Sequence, residues 1–249
     1  MNTEMEQLVT ILRESSNIVF FGGAGVSTES DIPDFRSSNG LWNEKLKINF
    51  TPEQLVSHTF FMKYPEEFFA FYKDKLIYPN AKPNAAHIAL AKLEQMGKLK
   101  AVVTQNIDGL HQAAGSKEVY ELHGSVLRNY CMKCHAFYDE KFMLESKGIP
   151  VCPKCGGRVK PDVVLYEEGL DDDIINGAVR AIMNADTLII GGTSLVVYPA
   201  AGLIHYFQGK NLVLINKSET TADAGADLVI HDAIGKVLGE AVAELEHSK

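Results

Sequence analysis

Apolar and polar positions along this chain keep two alternating rhythms. Short apolar runs recur at Ile18–Phe21, Ala101–Val103, Thr187–Ile190, Leu212–Ile215 and Leu228–Ile230, and the first stops at Gly22-Gly23. A run of that length bounded by glycine predicts a strand buried on both faces. Between the runs, apolar residues fall at helical spacing. Met5, Leu8, Val9 and Leu12 line one face of the opening segment, where Thr3 and Glu6 form a capping box for first-turn amides. Thr51-Pro52-Glu53-Gln54 is a start signal with proline at the first helical position. Asn84–Met96 carries Ile88, Leu90, Leu93 and Met96 ahead of a stop at Gly97, and Asp171–Ala185 opens on three acids that suit the positive end of a helix dipole. Strands alternating with helices predict an α/β fold, a Rossmann-like parallel sheet with helices on both faces.

Residues 128–160 break the rhythm. Four cysteines stand there among Lys, Gly and Pro with little helical pattern, which predicts a small module inserted into a larger domain made of residues 1–127 and 161–249. Cys131-x-x-Cys134 and Cys152-x-x-Cys155 have the spacing of a four-thiolate zinc site, each pair on a tight turn, with Gly156-Gly157 letting amides approach a sulfur. Four ligands complete a tetrahedron and leave no open position, so the expectation is one structural zinc per chain, with His135 a bystander. The alternative is a redox dithiol or unrelated thiols.

Composition narrows the class. A chain of 249 residues with 46% hydrophobic content can bury a core without disulfides. Its 24 basic and 32 acidic residues leave a net charge of −8, which argues against a nucleic-acid grip built on phosphate contacts. No apolar run approaches the ~20 residues of a membrane span, and the first residues lack the apolar core of a signal peptide. The expectation is a cytoplasmic protein with no membrane contact, whose cysteines are metal ligands before they are disulfides.

Polar clusters then appear where strands end. Gly22-Gly23-Ala24-Gly25-Val26-Ser27 follows the first strand, where a dinucleotide site has its tight turn. It is an incomplete dehydrogenase fingerprint, because Thr28 stands at the third glycine position and no ribose-binding acid is evident. Ser30 to Arg36, Thr104 to His111, Glu121-Leu122-His123-Gly124, Gly192-Thr193-Ser194 and Asn216 follow at or near further strand ends, where α/β sheets bind ligands.

With these motifs in this order, the sequence resembles the sirtuins, specifically the bacterial-type NAD-dependent protein deacetylases, over nearly the whole chain. The resemblance implies that Ala24, Thr28, Phe35 and Arg36 contact NAD, that Gln105, Asn106, Ile107 and Asp108 hold the ribose and nicotinamide amide, and that Thr193, Ser194, Asn216, Lys217 and Ile234 take the adenosine half. It implies that His123 is the general base, with Asn106 and Asp108 beside it in the catalytic group. Val163, Val164, Leu165 and Tyr166 would pair with an acyl-lysine peptide, and Leu195 to Tyr198, Val196 among them, would supply a second substrate strand. The implied chemistry has the acyl oxygen attack the ribose anomeric carbon and expel nicotinamide. His123 then removes the proton of a ribose hydroxyl, which attacks the resulting imidate, and water completes the reaction to free lysine and O-acyl-ADP-ribose. A histidine of ordinary pKa near 6.5 suits that proton at neutral pH.

Two departures from the family pattern stand at Asp31, where many members have glycine, and at Glu167, where Phe-Gly-Glu is frequent. The loop after Gly40-Leu41-Trp42 also lacks the Tyr-x-x-Arg pair of members that prefer acidic acyl chains, which favours a neutral acyl group such as acetyl. His58, His87, His205, His231 and His247 are expected to be structural or solvated, and His111 to steady its loop. Phe60, Phe61, Phe68, Phe69, Phe71 and Tyr72 are expected to pack a core, and Asp171-Asp172-Asp173 to start a helix rather than bind metal. Competing readings are a non-catalytic NAD or ADP-ribose sensor and a mono-ADP-ribosyltransferase; a dehydrogenase is more distant.

Overall fold

The computed structural model describes residues 3–34 and 50–247. Helix α1 (Thr3–Glu14) leads into β1 (Ile18–Gly22), whose five residues are all buried, and two short 3-10 turns follow at Ala24–Val26 and Thr28–Ser30. The helices α2 (Pro52–Leu55), α3 (His58–Lys63) and α4 (Pro65–Lys75) come next. Thr51 caps α2 in a full capping box with Gln54. Then α5 (Ala85–Gln95), capped by Asn84 and stopped at Gly97 with φ of 75°, runs into β2 (Leu99–Thr104). The chain continues through α6 (Leu110–Ala114), β3 (Val119–Glu121), β4 (Gly124–Cys131), β5 (Phe137–Tyr138), α7 (Glu140–Glu145) and β6 (Val159–Val163). It closes with α8 (Asp172–Asn184), β7 (Thr187–Gly191), a 3-10 segment at Ala200–Tyr206, β8 (Asn211–Ile215), β9 (Leu228–Ile230) and α9 (Ile234–His247).

The large sheet has the order β3-β2-β1-β7-β8-β9, and every pair in it is parallel. From β1 the chain winds to one side through β2 and β3, then returns to the other side of β1 at β7. A crevice must therefore open beyond the carboxyl ends of β1 and its neighbours, at the topological switch point. One face of the sheet packs on α1, α5 and α9 through residues such as Leu8, Leu90 and Leu238, and the other packs on α8 and the Ala200–Tyr206 segment through Ala178, Ile182 and Leu203. This is the expected α/β architecture. Each buried apolar side chain in it contributes roughly 1.5–3 kcal/mol relative to exposure.

A second sheet, β5-β4-β6, is antiparallel. Its core is shared with α2, α3 and α4: Leu55, Phe60, Phe61, Phe68, Phe69 and Tyr72 pack with Val126, Met143, Val159 and Val163. Phe61, Phe68 and Phe69 meet edge to face at centroid distances of 5.0–5.8 Å, and Tyr72 stacks on Phe68. The aromatic run is thus core, as expected. Helix α7 was not legible from the pattern, because one turn and a half shows no periodicity; Asp139 starts it by accepting from the Phe142 amide at 2.9 Å. Asp171 likewise accepts from Asp173 and Ile174 amides and starts α8. Among the described residues, no helix is long and apolar enough to cross a membrane.

Candidate active site

Gly22 at the end of β1 lies in register with Gly191 at the end of β7. The loop beyond β1 closes on the loop beyond β7, with the Gly25 amide donating to the Gly192 carbonyl at 2.8 Å. A Cβ on Gly25 would stand 2.8 Å from Gly192 Cα, and one on Gly23 2.9 Å from Thr193 Cβ. The glycines therefore let two strand-end loops touch through their backbones. Gly192 itself is left-handed, at φ of 59°.

Beyond these ends lies a cavity of about 1090 Å³. Ala24, Thr28, Gln105, Asn106, Ile107 and Asp108 line it from one side, and Thr193, Ser194, Asn216, Lys217 and Ile234 from the other, with His123 also on its wall. Val163, Val164, Leu165 and Tyr166 complete the lining near His123, since the Val164 amide donates to the His123 carbonyl at 3.0 Å. Val196 is 52% exposed and is not among the lining residues, whereas its neighbour Val197 is. Phe35 and Arg36 lie outside the described residues.

A hydrogen-bonded chain runs across the crevice. The Ser27 hydroxyl donates to Asp108 Oδ2 at 2.7 Å and accepts from Asn106 Nδ2 at 3.1 Å, while Asp108 Oδ1 accepts the Leu110 amide at 2.9 Å. Gln105 Nε2 donates to Thr193 Oγ1 at 3.1 Å, joining the β2 end to the β7 end. Ser27 was singled out only as part of the glycine loop; its place between Asn106 and Asp108, 79 and 81 residues away, had no signal in the sequence.

His123 has its Nδ1 3.0 Å from the Gln105 carbonyl. A carbonyl only accepts, so Nδ1 carries the proton and Nε2 keeps its lone pair. Burial pushes this histidine below its ordinary pKa, partly offset by the hydrogen bond to Gln105. A neutral ring held this way can accept a proton through Nε2. Beneath Asp108, His87 and His111 are fully buried with ring centroids 4.7 Å apart. Burial lowers His87 to about 4, against the opposing pull of Asp108, and lowers His111 to about 3, with His87 adding to the effect. Both are neutral core residues. His111 contributes packing, and its carbonyl accepts the Ser116 amide at 3.1 Å.

Both departures from the family pattern hold left-handed backbones: Asp31 at φ of 62° and Glu167 at 77°. Lys75, at the end of α4, also lines the cavity, and so does Glu140, held above the usual carboxylate range by burial and then by Asp139. The sequence offers no Tyr-x-x-Arg cation for an acidic acyl chain; Lys75 is a lysine on the cavity lining that comes from a different element.

The four cysteine sulfurs lie within 4.8 Å of one another, with Cys131–Cys155 at 3.4 Å and Cys134–Cys152 at 3.6 Å. A zinc with four thiolates at ~2.3 Å has sulfur–sulfur edges of roughly 3.8 Å, so the donor set fits that ion. A Cβ on Gly157 would stand 2.8 Å from Cys131 Sγ, which is why glycine closes the second knuckle. Tyr138 Oη lies 2.9 Å from Cys152 Sγ and can donate to the thiolate.

The Sir2 family model matches residues 23–199. The chain is 76% identical over 243 residues to an NAD-dependent protein deacetylase of Clostridium perfringens, covering 97% of this chain and 100% of that relative. It is 45% identical over 244 residues to an NAD-dependent protein deacetylase of Staphylococcus aureus, covering 98% of this chain and 100% of the relative. Among solved structures, a Sir2 protein with deacetylated p53 peptide and 3'-O-acetyl ADP ribose matches at a TM-score of 0.88 and 39% identity, covering 97% of this chain and 98% of that one. A Sir2–p53 peptide–NAD+ complex matches at 0.85 and 39%, covering 98% of each chain.

Proposed function

The chain belongs to the Sir2 family, and from that premise we propose that it is an NAD-dependent protein lysine deacetylase, which moves the acyl group of acyl-lysine to ADP-ribose and releases nicotinamide. The observation that carries the reading is His123, with its Nδ1 proton committed to the Gln105 carbonyl, on the wall of the cavity that also holds the Ser27–Asn106–Asp108 chain. NAD supplies the ribosyl carbon that receives the acyl oxygen, and nicotinamide as leaving group. His123 Nε2 takes the proton of the ribose hydroxyl. Asn106 and Asp108, steadied through Ser27, orient the ribose and nicotinamide amide together with Gln105 and Ile107. Ala24, Thr28, Phe35 and Arg36 contact NAD, and Thr193, Ser194, Asn216, Lys217 and Ile234 take its adenosine half.

The acyl-lysine peptide adds to the strand Val163–Tyr166, with Val196 and its neighbours on its other side, and the narrow apolar approach holds a weak amide nucleophile in line. Cys131, Cys134, Cys152 and Cys155 hold one structural zinc, which organises the module of residues 128–160 on the larger domain of residues 1–127 and 161–249. The acyl group is neutral, acetyl first, and the partners are acyl-lysine proteins of the cytoplasm rather than nucleic acid.

Mass spectrometry of an acetyl-lysine peptide with and without NAD tests this. Loss of acetyl only with NAD, alongside nicotinamide and O-acetyl-ADP-ribose, is the expected result. An intact peptide, or ADP-ribose attached to protein, overturns it. A succinyl-lysine peptide run in parallel tests the neutral preference; equal turnover, abolished in Lys75→Ala, would overturn that preference.

A further inference from the structure

Glu167 holds a backbone that residues other than glycine, asparagine and aspartate seldom adopt, at φ of 77°, and it does so at an exposed position two residues beyond the buried Leu165. Its carboxylate accounts for the conformation. Oε2 accepts the Thr59 amide at 2.8 Å, in the first turn of α3, and that contact with Thr59, together with His58 and Lys63 nearby, holds the carboxyl below the usual range. The residues just before it are tied to the same segment. The Tyr166 amide donates to the Val56 carbonyl and the His58 amide to the Tyr166 carbonyl, both at 3.0 Å, so Ser57 and Tyr166 form a parallel bridge. Glu168 reaches His58 Nδ1 at 2.8 Å, the Leu165 amide at 2.9 Å and Lys160 Nζ at 3.0 Å. At its other end the same segment, which follows directly on β6, is bonded through Val164 to the carbonyl of His123. One short segment therefore joins His123 to the helical layer.

We propose that Glu167 is a positioning residue for the acyl-lysine peptide: by pinning the left-handed turn to Thr59 it fixes the direction in which the segment Val163–Tyr166 presents its edge. This inference rests on the deacetylase reading. The anchor lies in the helical layer of the second core, so the peptide strand takes its orientation from α3 rather than from the parallel sheet.

Three variants separate tie from strain. Glu167→Ala loses the tie and keeps the strain. Glu167→Gly adopts the same turn without the tie, and Glu167→Gln keeps an oxygen for the Thr59 amide. In steady-state assays with an acetyl-lysine peptide, the alanine and glycine variants are expected to raise peptide KM about tenfold, the worth of one charge-assisted hydrogen bond. Their kcat and KM for NAD stay at wild-type values, their melting temperature falls by no more than a few degrees, and the glutamine variant restores most of the peptide KM. Wild-type KM in either the alanine or the glycine variant, or a fall in kcat or melting temperature without a KM change, overturns the proposal. Fluorescence anisotropy of a labelled acetyl-lysine peptide reads the same ratio without turnover. A wild-type chain that binds peptide but does not deacetylate it sinks the enzymatic reading and leaves the Glu167 test intact, whereas a wild-type chain that binds no peptide sinks the Glu167 proposal.

Discussion

The parallel sheet and the cysteine-bearing module hold their shapes by different means. Every residue of β1 and β7 is buried, and helices cover both faces, so the sheet region is fixed redundantly by ladders and two apolar cores. The module has a two-residue strand β5, leaves Phe137 56% exposed, and draws much of its interior from α2, α3 and α4. Its knuckles are organised around four sulfurs. Redundant packing suits the side chains that handle NAD, which must converge within a fraction of an ångström. A metal suffices for a module too small to build its own core.

The sharpest way to break this comparison is Cys152→Ser. Zinc is expected to be lost, β4, β5 and α7 to lose protection in hydrogen exchange, and turnover to vanish, while amides of β1, β2 and β7 stay protected. Simultaneous loss of protection in the large sheet would show that the two regions are not separately held. Next in size, His123→Ala at the junction should cost about 10²–10⁴ in kcat with zinc content and melting temperature unchanged. Wild-type turnover would remove His123 from the role of base.

Acid should distinguish the regions in another way. His87 and His111 have folded pKa values lowered to about 4 and about 3, against about 6.5 when unfolded. Below pH 6.5 the unfolded chain takes up protons that the folded core refuses, so stability contributed above that pH is lost as it falls toward 4. The loss is about 2 kcal/mol per histidine by pH 5, read from denaturation midpoints at pH 7 and 5. Replacing both histidines with apolar residues should flatten that dependence. The acid limb of turnover should likewise lie below 6.5, because burial lowers His123. The smallest effect is expected for Tyr138→Phe, which removes one donor to Cys152 and should weaken zinc about 10–100-fold in chelator competition without altering the sheet.

Much of the site was legible because its signals are local. Glycines after a strand, polar residues at Thr104–Asp108 and paired cysteines each announce themselves within a few residues, and the parallel fold places strand ends side by side. Val196 illustrates the limit of such reading: strand alternation alone does not say whether it or Val197 faces the cavity. Lys75 illustrates another, since only the packing of α4 against the module brings its end to the cavity wall.

The sequence by itself determined five of the six strands of the large sheet, the helices α1, α5 and α8, the glycine loop beyond β1 and the fourfold sulfur site, because periodicity, chain flexibility and ligand spacing are properties of short segments; the edge strand β3 and the helix α9 lay outside that reading. Tertiary structure alone decided that Ser27 bridges Asn106 and Asp108, that α2–α4 share a core with the cysteine module, and that Glu167 turns left-handed against Thr59. These contacts join residues 79 to 108 positions apart in the first and last cases, and no local pattern encodes a partner that only the folded packing brings within reach.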